Sequence, residues 1–171
     1  MQNVYLTGFM GVGKTTIGQA VAQKLDVSVI DTDFMVESST NMLIKDIFEK
    51  YGENYFRDLE TKILTVLPSK DVIVTTGGGI VTRQENMEWM KENGCVIFLY
   101  ADPEVIWNRL ENDTTRPLIQ QRKKEEVLGL FGNRLLFYKQ AHITLDTTDL
   151  SLDEAVEAVH KAIKTWNNRQ H

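Results

Sequence analysis

Cysteine is almost absent from this sequence. Cys95 is the only one in 171 residues, which excludes an internal disulfide and a metal site built from cysteines. It lies in the apolar run CVIFLY, where a buried strand residue is expected rather than a nucleophile. Histidine is nearly as scarce: His142, His160 and His171 stand apart, with no acid or cysteine clustered around them, and each is read as structural. Only three prolines accompany 42% hydrophobic and 25% charged residues, a balance that speaks against a disordered or collagen-like chain. No stretch approaches the ~18 apolar residues of a membrane-spanning helix, and MQNVYLTGFMG has no basic segment leading into an apolar one. A cytoplasmic protein with no membrane partner is expected. The formal charge of -5 also argues against a nucleic-acid partner, because such proteins carry basic faces that displace counterions from phosphates. The one basic run, QRKKEE, carries its own acids and reads as a solvated helix start or loop.

What remains is enough chain for one domain, residues 1–171, with a real core and little room for a second. Whatever the protein binds must then be held within one domain. Five short apolar runs, NVYLT, VSVID, DVIVTTGGG, CVIFLY and HITLD, read as strands. Between them lie helical patterns: Ile17, Val21 and Leu25; then Leu43 to Leu67, divided at Gly52; then RQENMEWMKENG with a glycine end; then DPEVIWNRLEN with Asp102 as cap and Pro103 in the first turn. A final stripe runs from Leu152 to Trp166. Helices alternating with short apolar strands imply an α/β fold, a parallel sheet covered on both faces. The polar stretch 112–126 has little periodicity and is read as a lid.

The stretch GFMGVGKTT fits G-x-x-x-x-G-K-[ST] with Gly8, Gly13, Lys14 and Thr15. Glycines let the backbone amides turn in around phosphates, Lys14 reaches the β- and γ-phosphates, and the Thr15 hydroxyl suits Mg²⁺. The bare pattern arises by chance in about one chain in a hundred of this size, but its place between a strand and a helix marks a P-loop. Asp31 and Asp33 stand two apart at the end of the second strand, able to face one side: one suits hydrated Mg²⁺ and the other an acceptor hydroxyl. An Asp-rich turn capping a helix is the plain alternative. Arg57 and Glu60 stand at i and i+3 on a helix, where an exposed ion pair is the plain alternative. Gly77, Gly78 and Gly79 leave a strand together, as is needed where a ligand meets the backbone closely.

GFMGVGKTT, IDTD, IFEKYGENYFRDLE, TTGGG, RL…RPL and NRLLFYKQAH together resemble the shikimate kinases in order and spacing, over essentially the whole chain. The resemblance implies the nucleoside monophosphate kinase fold, a three-layer P-loop domain with sheet order 2-3-1-4-5 and a mobile lid. It implies ATP-dependent phosphorylation of the shikimate 3-hydroxyl on the route to chorismate and aromatic amino acids. The nucleotide would be held by Gly11, Val12, Gly13, Lys14, Thr15 and Thr16, with Arg109 at the adenine and Arg116 as the lid arginine over the transferring phosphate. Thr15 would bind Mg²⁺ directly and Asp31 through water. Asp33 would meet the shikimate hydroxyls, Arg57 and Arg134 its carboxylate, and Gly77 to Gly79 its ring, with Glu60 orienting Arg57. The acceptor segment would span roughly 33–62. Lys14, Asp33 and Arg116 are the residues expected to act in transfer, and a monomer is expected.

The chain departs from the family where Thr40 or Asn41 replaces a common glycine and where Leu136 replaces a proline. The rivals weighed are a gluconate or nucleoside monophosphate kinase of the same fold and an ATP-binding regulator. A GTPase switch is disfavoured, because no N-K-x-D-type motif is present.

Overall fold

The five apolar runs form the strands of one parallel sheet: β1 (Asn3–Thr7), β2 (Ser28–Asp31), β3 (Val72–Thr75), β4 (Gly94–Tyr100) and β5 (Ile143–Asp146). Residues 1–113 and 122–169 are described in this computed structural model. The strand order is β2-β3-β1-β4-β5, as the family resemblance implies. The central strands β1 and β3 are buried along their whole length, which is why their sequences are continuous apolar runs rather than alternating ones. Strand β2 lies at an edge and is partly exposed.

The helices are α1 (Lys14–Leu25), α2 (Thr32–Thr40), α3 (Ile44–Tyr51), α4 (Glu53–Thr65), α5 (Gln84–Asn93), α6 (Pro103–Glu111), α7 (Lys124–Tyr138) and α8 (Leu152–Arg169). Helix α1 packs against α8, while α4 meets α5 and α6 meets α7. The main core runs from Val4 and Leu6 through Val74, Ile97 and Phe98 to Val159 and Ile163. A second, smaller core of Val36, Ile47, Phe56 and Ile63 holds α2, α3 and α4 together. The segment read as the acceptor lobe therefore has its own packing.

Chain direction across the sheet reverses at β1, which pairs with β3 on one side and β4 on the other. In open parallel sheets ligands collect at such a switch point, beyond the carboxyl ends of the strands. The P-loop leaves β1 there.

Local chemistry accounts for the element boundaries. Asp102 caps α6 through a 2.9 Å bond from the Glu104 amide, with Pro103 at the first helical position. Gly52, at φ 85°, separates α3 from α4. Asn41 ends α2 at φ 52°, so it takes the left-handed position that glycine commonly fills, which asparagine tolerates. Gly94 is the glycine end of α5, as expected, and it also opens β4. Its backbone is extended, and a Cβ there would collide with the Asn3 carbonyl on β1, so the glycine serves strand approach. His142 is structural as expected: its Nδ1 accepts the Val96 amide at 3.1 Å.

Two other glycines lack any such reason. Gly129 and Gly132 lie within α7, are exposed, and a Cβ at either would meet nothing within 4 Å. Glycine in a helix interior costs roughly 0.5–1 kcal/mol relative to alanine. Gly129→Ala and Gly132→Ala are each expected to stabilise the protein by about that amount, whereas Gly94→Ala is expected to destabilise it. Urea unfolding midpoints test this, and no gain from either helix substitution contradicts it.

Candidate functional site

Helix α1 opens on Gly13, whose φ of 101° only glycine adopts easily, and no side chain caps it. A helix N-terminus opened in this way by a glycine loop is the arrangement that binds phosphate. Gly8 and Gly11 also have positive φ, at 148° and 81°. Lys14 is buried and folds back over the loop, donating to the Gly8 carbonyl at 2.6 Å and the Phe9 carbonyl at 3.0 Å. The Val12 amide is turned to the Phe9 carbonyl at 3.3 Å, and its side chain enters the core. Arg109, on α6, reaches the same loop from the other side, 3.4 Å from the Gly11 carbonyl.

The loop forms one end of a cavity of about 590 Å³ whose walls include Gly11, Gly13, Lys14, Thr15, Thr16, Asp31, Asp33, Arg57, Glu60, Gly77, Gly78, Gly79, Arg109 and Arg134. Of the site residues singled out from sequence, all but Gly8, Val12 and Arg116 line it; residues 114–121, which hold Arg116 and most of the stretch read as a lid, lie outside the described residues.

Asp31 and Asp33 reach the cavity by a route different from strand alternation. Asp31 ends β2 and caps α2, accepting the Phe34 amide at 3.1 Å, while Asp33 belongs to the first turn of α2. The helix-capping alternative thus holds for Asp31. Asp31 Oδ2 also accepts the Thr75 hydroxyl at 2.7 Å and lies 3.3 Å from the Thr15 hydroxyl. An all-oxygen set of this kind suits a hard cation such as Mg²⁺. Among the described residues no group of three or more His, Cys, Asp or Glu could hold a metal alone, so a cation here would draw its remaining ligands from phosphate and water.

The Arg57–Glu60 pair is buried, unlike the exposed pair weighed from sequence. Arg57 donates to Glu60 Oε2 at 2.6 Å and to the more exposed Glu53 at 3.2 Å. Burial alone would pull the Arg57 pKa down, but Glu60 and Glu53 outweigh it. Gly77 and Gly79 make room for these side chains. A Cβ on Gly77 would stand 2.5 Å from Asp33 Oδ1 and 3.0 Å from Glu60 Oε1, and one on Gly79 would collide with the Arg57 guanidinium. Neither glycine has positive φ, so close approach by the protein's own carboxylates and guanidinium is the physical reason for them. Across the cavity the Arg134 guanidinium carbon lies 5.9 Å from the centre of the Phe9 ring.

Two carboxylate oxygens that converge over Gly77, Asp33 Oδ1 and Glu60 Oε1, are buried with no hydrogen-bond partner among the described residues. Burial and the neighbouring Asp31 push Asp33 up to about 6, against the pull of Lys14 and Arg57. Burial likewise pushes Glu60 up to about 7, against Arg57 and Arg134. Orphaned buried acceptors are costly and rare, and these two face a cavity that also holds cations.

Sequence reasoning missed four contributors. Thr75 is paired in register with Asp31 across β2 and β3, a neighbour that only the sheet order reveals. Phe48 and Phe56, whose rings lie 4.9 Å apart, give the cavity an apolar wall. Tyr138 donates to the Gly78 carbonyl at 2.6 Å.

A phosphate-binding loop opening a helix, at the switch point of a five-stranded parallel sheet, defines a P-loop NTPase-fold protein, here with a cavity beside the loop lined by carboxylates and guanidinium groups. The family model described as shikimate kinase matches residues 10–164. A shikimate kinase from Bacillus cytotoxicus is 50% identical over 96% of this chain and 100% of its own length. A structure of the Acinetobacter baumannii shikimate kinase in complex with shikimate is 36% identical with a TM-score of 0.88, covering 96% of this chain and 94% of that one. One from Bacteroides thetaiotaomicron is 31% identical with the same TM-score, covering 95% and 98%. The chain belongs to the shikimate kinase family, the kinases that phosphorylate shikimate with ATP on the route to aromatic amino acids.

The Asp33 carboxyl ties the ligand-free protein's stability to pH. Its pKa is raised on folding, so the folded state binds the proton more tightly and stability falls as pH rises through about 6. Asp33→Asn is expected to melt higher than the parent at pH 8, with the gap closing as pH drops towards 4. A gap that persists unchanged across that range in thermal melts would refute the raised pKa.

Proposed function

We propose that this kinase transfers the γ-phosphoryl group of ATP to the 3-hydroxyl of shikimate, with the acceptor held between Asp33 and the pair Arg57 and Arg134. The observation that carries this is the orphaned, buried Asp33 Oδ1 beside Lys14 and Arg57 in the cavity that the P-loop closes. An acceptor hydroxyl supplies the missing partner. Near neutral pH a carboxyl titrating at about 6 is mostly ionised and can both orient that hydroxyl and take its proton, matching the range in which a general base works best.

The other end of the acceptor is a carboxylate, and two arginines on different helices suit it. Charge-assisted bonds from guanidinium to carboxylate are roughly twice as strong as neutral ones. Glu60 holds Arg57 in place, while Gly77, Gly78, Gly79, Phe48 and Phe56 flank the ring.

On the donor side, Gly11, Gly13, Lys14 and Thr16 hold the phosphates, with Val12 shaping the loop, and Arg109 borders the nucleotide. Lys14 would exchange its bonds to the Gly8 and Phe9 carbonyls for phosphate oxygens. Mg²⁺ would be held by Thr15 directly and by Asp31 through water, with Thr75 fixing Asp31; it would supply charge neutralisation on the phosphates. Arg116 would close over the transferring group. Phosphoryl transfer passes through a loose transition state in which positioning and positive charge matter most, so a strong base is not needed. The same reading includes a cytoplasmic monomer with no nucleic-acid partner.

Coupled ADP release with shikimate, gluconate, AMP and CMP, against a blank without acceptor, is expected to give turnover with shikimate alone. Turnover with another acceptor in its place would overturn the acceptor assignment. Arg134→Ala and Arg57→Lys are expected to raise KM for shikimate about ten-fold or more while KM for ATP stays within two-fold, since each loses a charged bond of roughly 1.5–3 kcal/mol. Arg116→Ala is expected to lower kcat far more than nucleotide affinity. Unaltered kcat removes Arg116 from the transfer step.

A further inference from the structure

Tyr138 is wholly buried at the end of α7, one turn after Arg134. Its ring stacks on Phe98 of β4, with centroids 5.0 Å apart and planes 15° from parallel. The ring is thereby fixed to the middle of the sheet. Its hydroxyl donates to the Gly78 carbonyl at 2.6 Å, 60 positions away in sequence, and lies within hydrogen-bonding reach of the Arg134 side chain. A phenol has one proton to donate and lone pairs to accept with. Its donor capacity is spent on the glycine loop, and its oxygen faces an arginine of the acceptor pocket.

The peptide plane gives the first bond its consequence. In a trans peptide the C=O and the following N–H point in opposite directions. Holding the Gly78 carbonyl towards Tyr138 turns the Gly79 amide the other way. That amide has no hydrogen-bond partner among the described residues, and Gly79 lines the cavity.

We propose that Tyr138 is a positioning residue for the acceptor: through one hydroxyl it aims the Gly79 amide into the pocket and sets the Arg134 guanidinium. It touches no reacting atom. This rests on the reading of Arg134 as a carboxylate receptor. Burial pushes the Tyr138 hydroxyl up to about 12, against the pull of Arg134, so it remains a neutral donor throughout the working range of the enzyme.

Tyr138→Phe keeps the stacked ring and removes only the hydroxyl. Calorimetric titration with shikimate in the absence of nucleotide is expected to show affinity reduced about ten-fold, the size of one lost buried hydrogen bond. In steady-state assays KM for shikimate should rise similarly, with KM for ATP within two-fold. In an Arg134→Ala background the same substitution should cost less, because the two act through one contact. Unchanged acid affinity, or equal weakening of acid and ATP, overturns the proposal. Arg134→Ala with undiminished acid affinity would instead overturn the carboxylate reading beneath it.

Discussion

The acceptor site depends on keeping a guanidinium charged in a place where charge is unwelcome. Arg57 and Glu60 are both buried and 2.6 Å apart. Removing two charges from water is compensated only by close geometry, and losing one partner of such a pair typically costs ~3–5 kcal/mol. Here the arrangement leaves Glu60 Oε1 and Asp33 Oδ1 without hydrogen-bond partners among the described residues. On the proposed reading, the stability lost to those orphaned oxygens is the counterpart of a pocket already shaped, before any ligand arrives, for hydroxyls at one end and a carboxylate at the other. Preorganisation of this kind places the cost in folding rather than in binding.

The fold brings these groups together by topology rather than by sequence proximity. Reversal of chain direction at β1 puts the P-loop beside the ends of β2 and β3. Asp31 therefore faces Thr15 and Thr75, and the glycines after β3 pass under Asp33 and Glu60. The small core under α2, α3 and α4 is distinct from the main one, so the acceptor lobe is packed as a unit while remaining attached to the sheet through α4 and α5.

The strands and the P-loop were legible in sequence because each is a local pattern: an apolar run, a glycine spacing, a cap such as Asp102. The breaks at Gly52 and Pro103 were legible for the same reason. What stayed hidden depends on partners far apart. Tyr138 is one unassigned residue of the motif NRLLFYKQAH until its hydroxyl is seen on Gly78, and Thr75 is an ordinary strand residue until β2 lies beside β3. The three glycines were marked as a close approach, but sequence could not say that Arg57, Asp33 and Glu60 are what approaches. Asp33 was placed on a strand because two-residue spacing suits one; Asp31 instead caps α2 and starts the helix one residue earlier.

The claim on which the rest turns is that the buried arginine site selects a carboxylate. Calorimetric titration of the protein with shikimate and with its uncharged carboxamide, equal in shape and hydroxyl pattern, tests it most directly. The account requires the carboxamide to bind at least ten-fold more weakly, as loss of a charge-assisted pair dictates. Equal affinity for the two would contradict it.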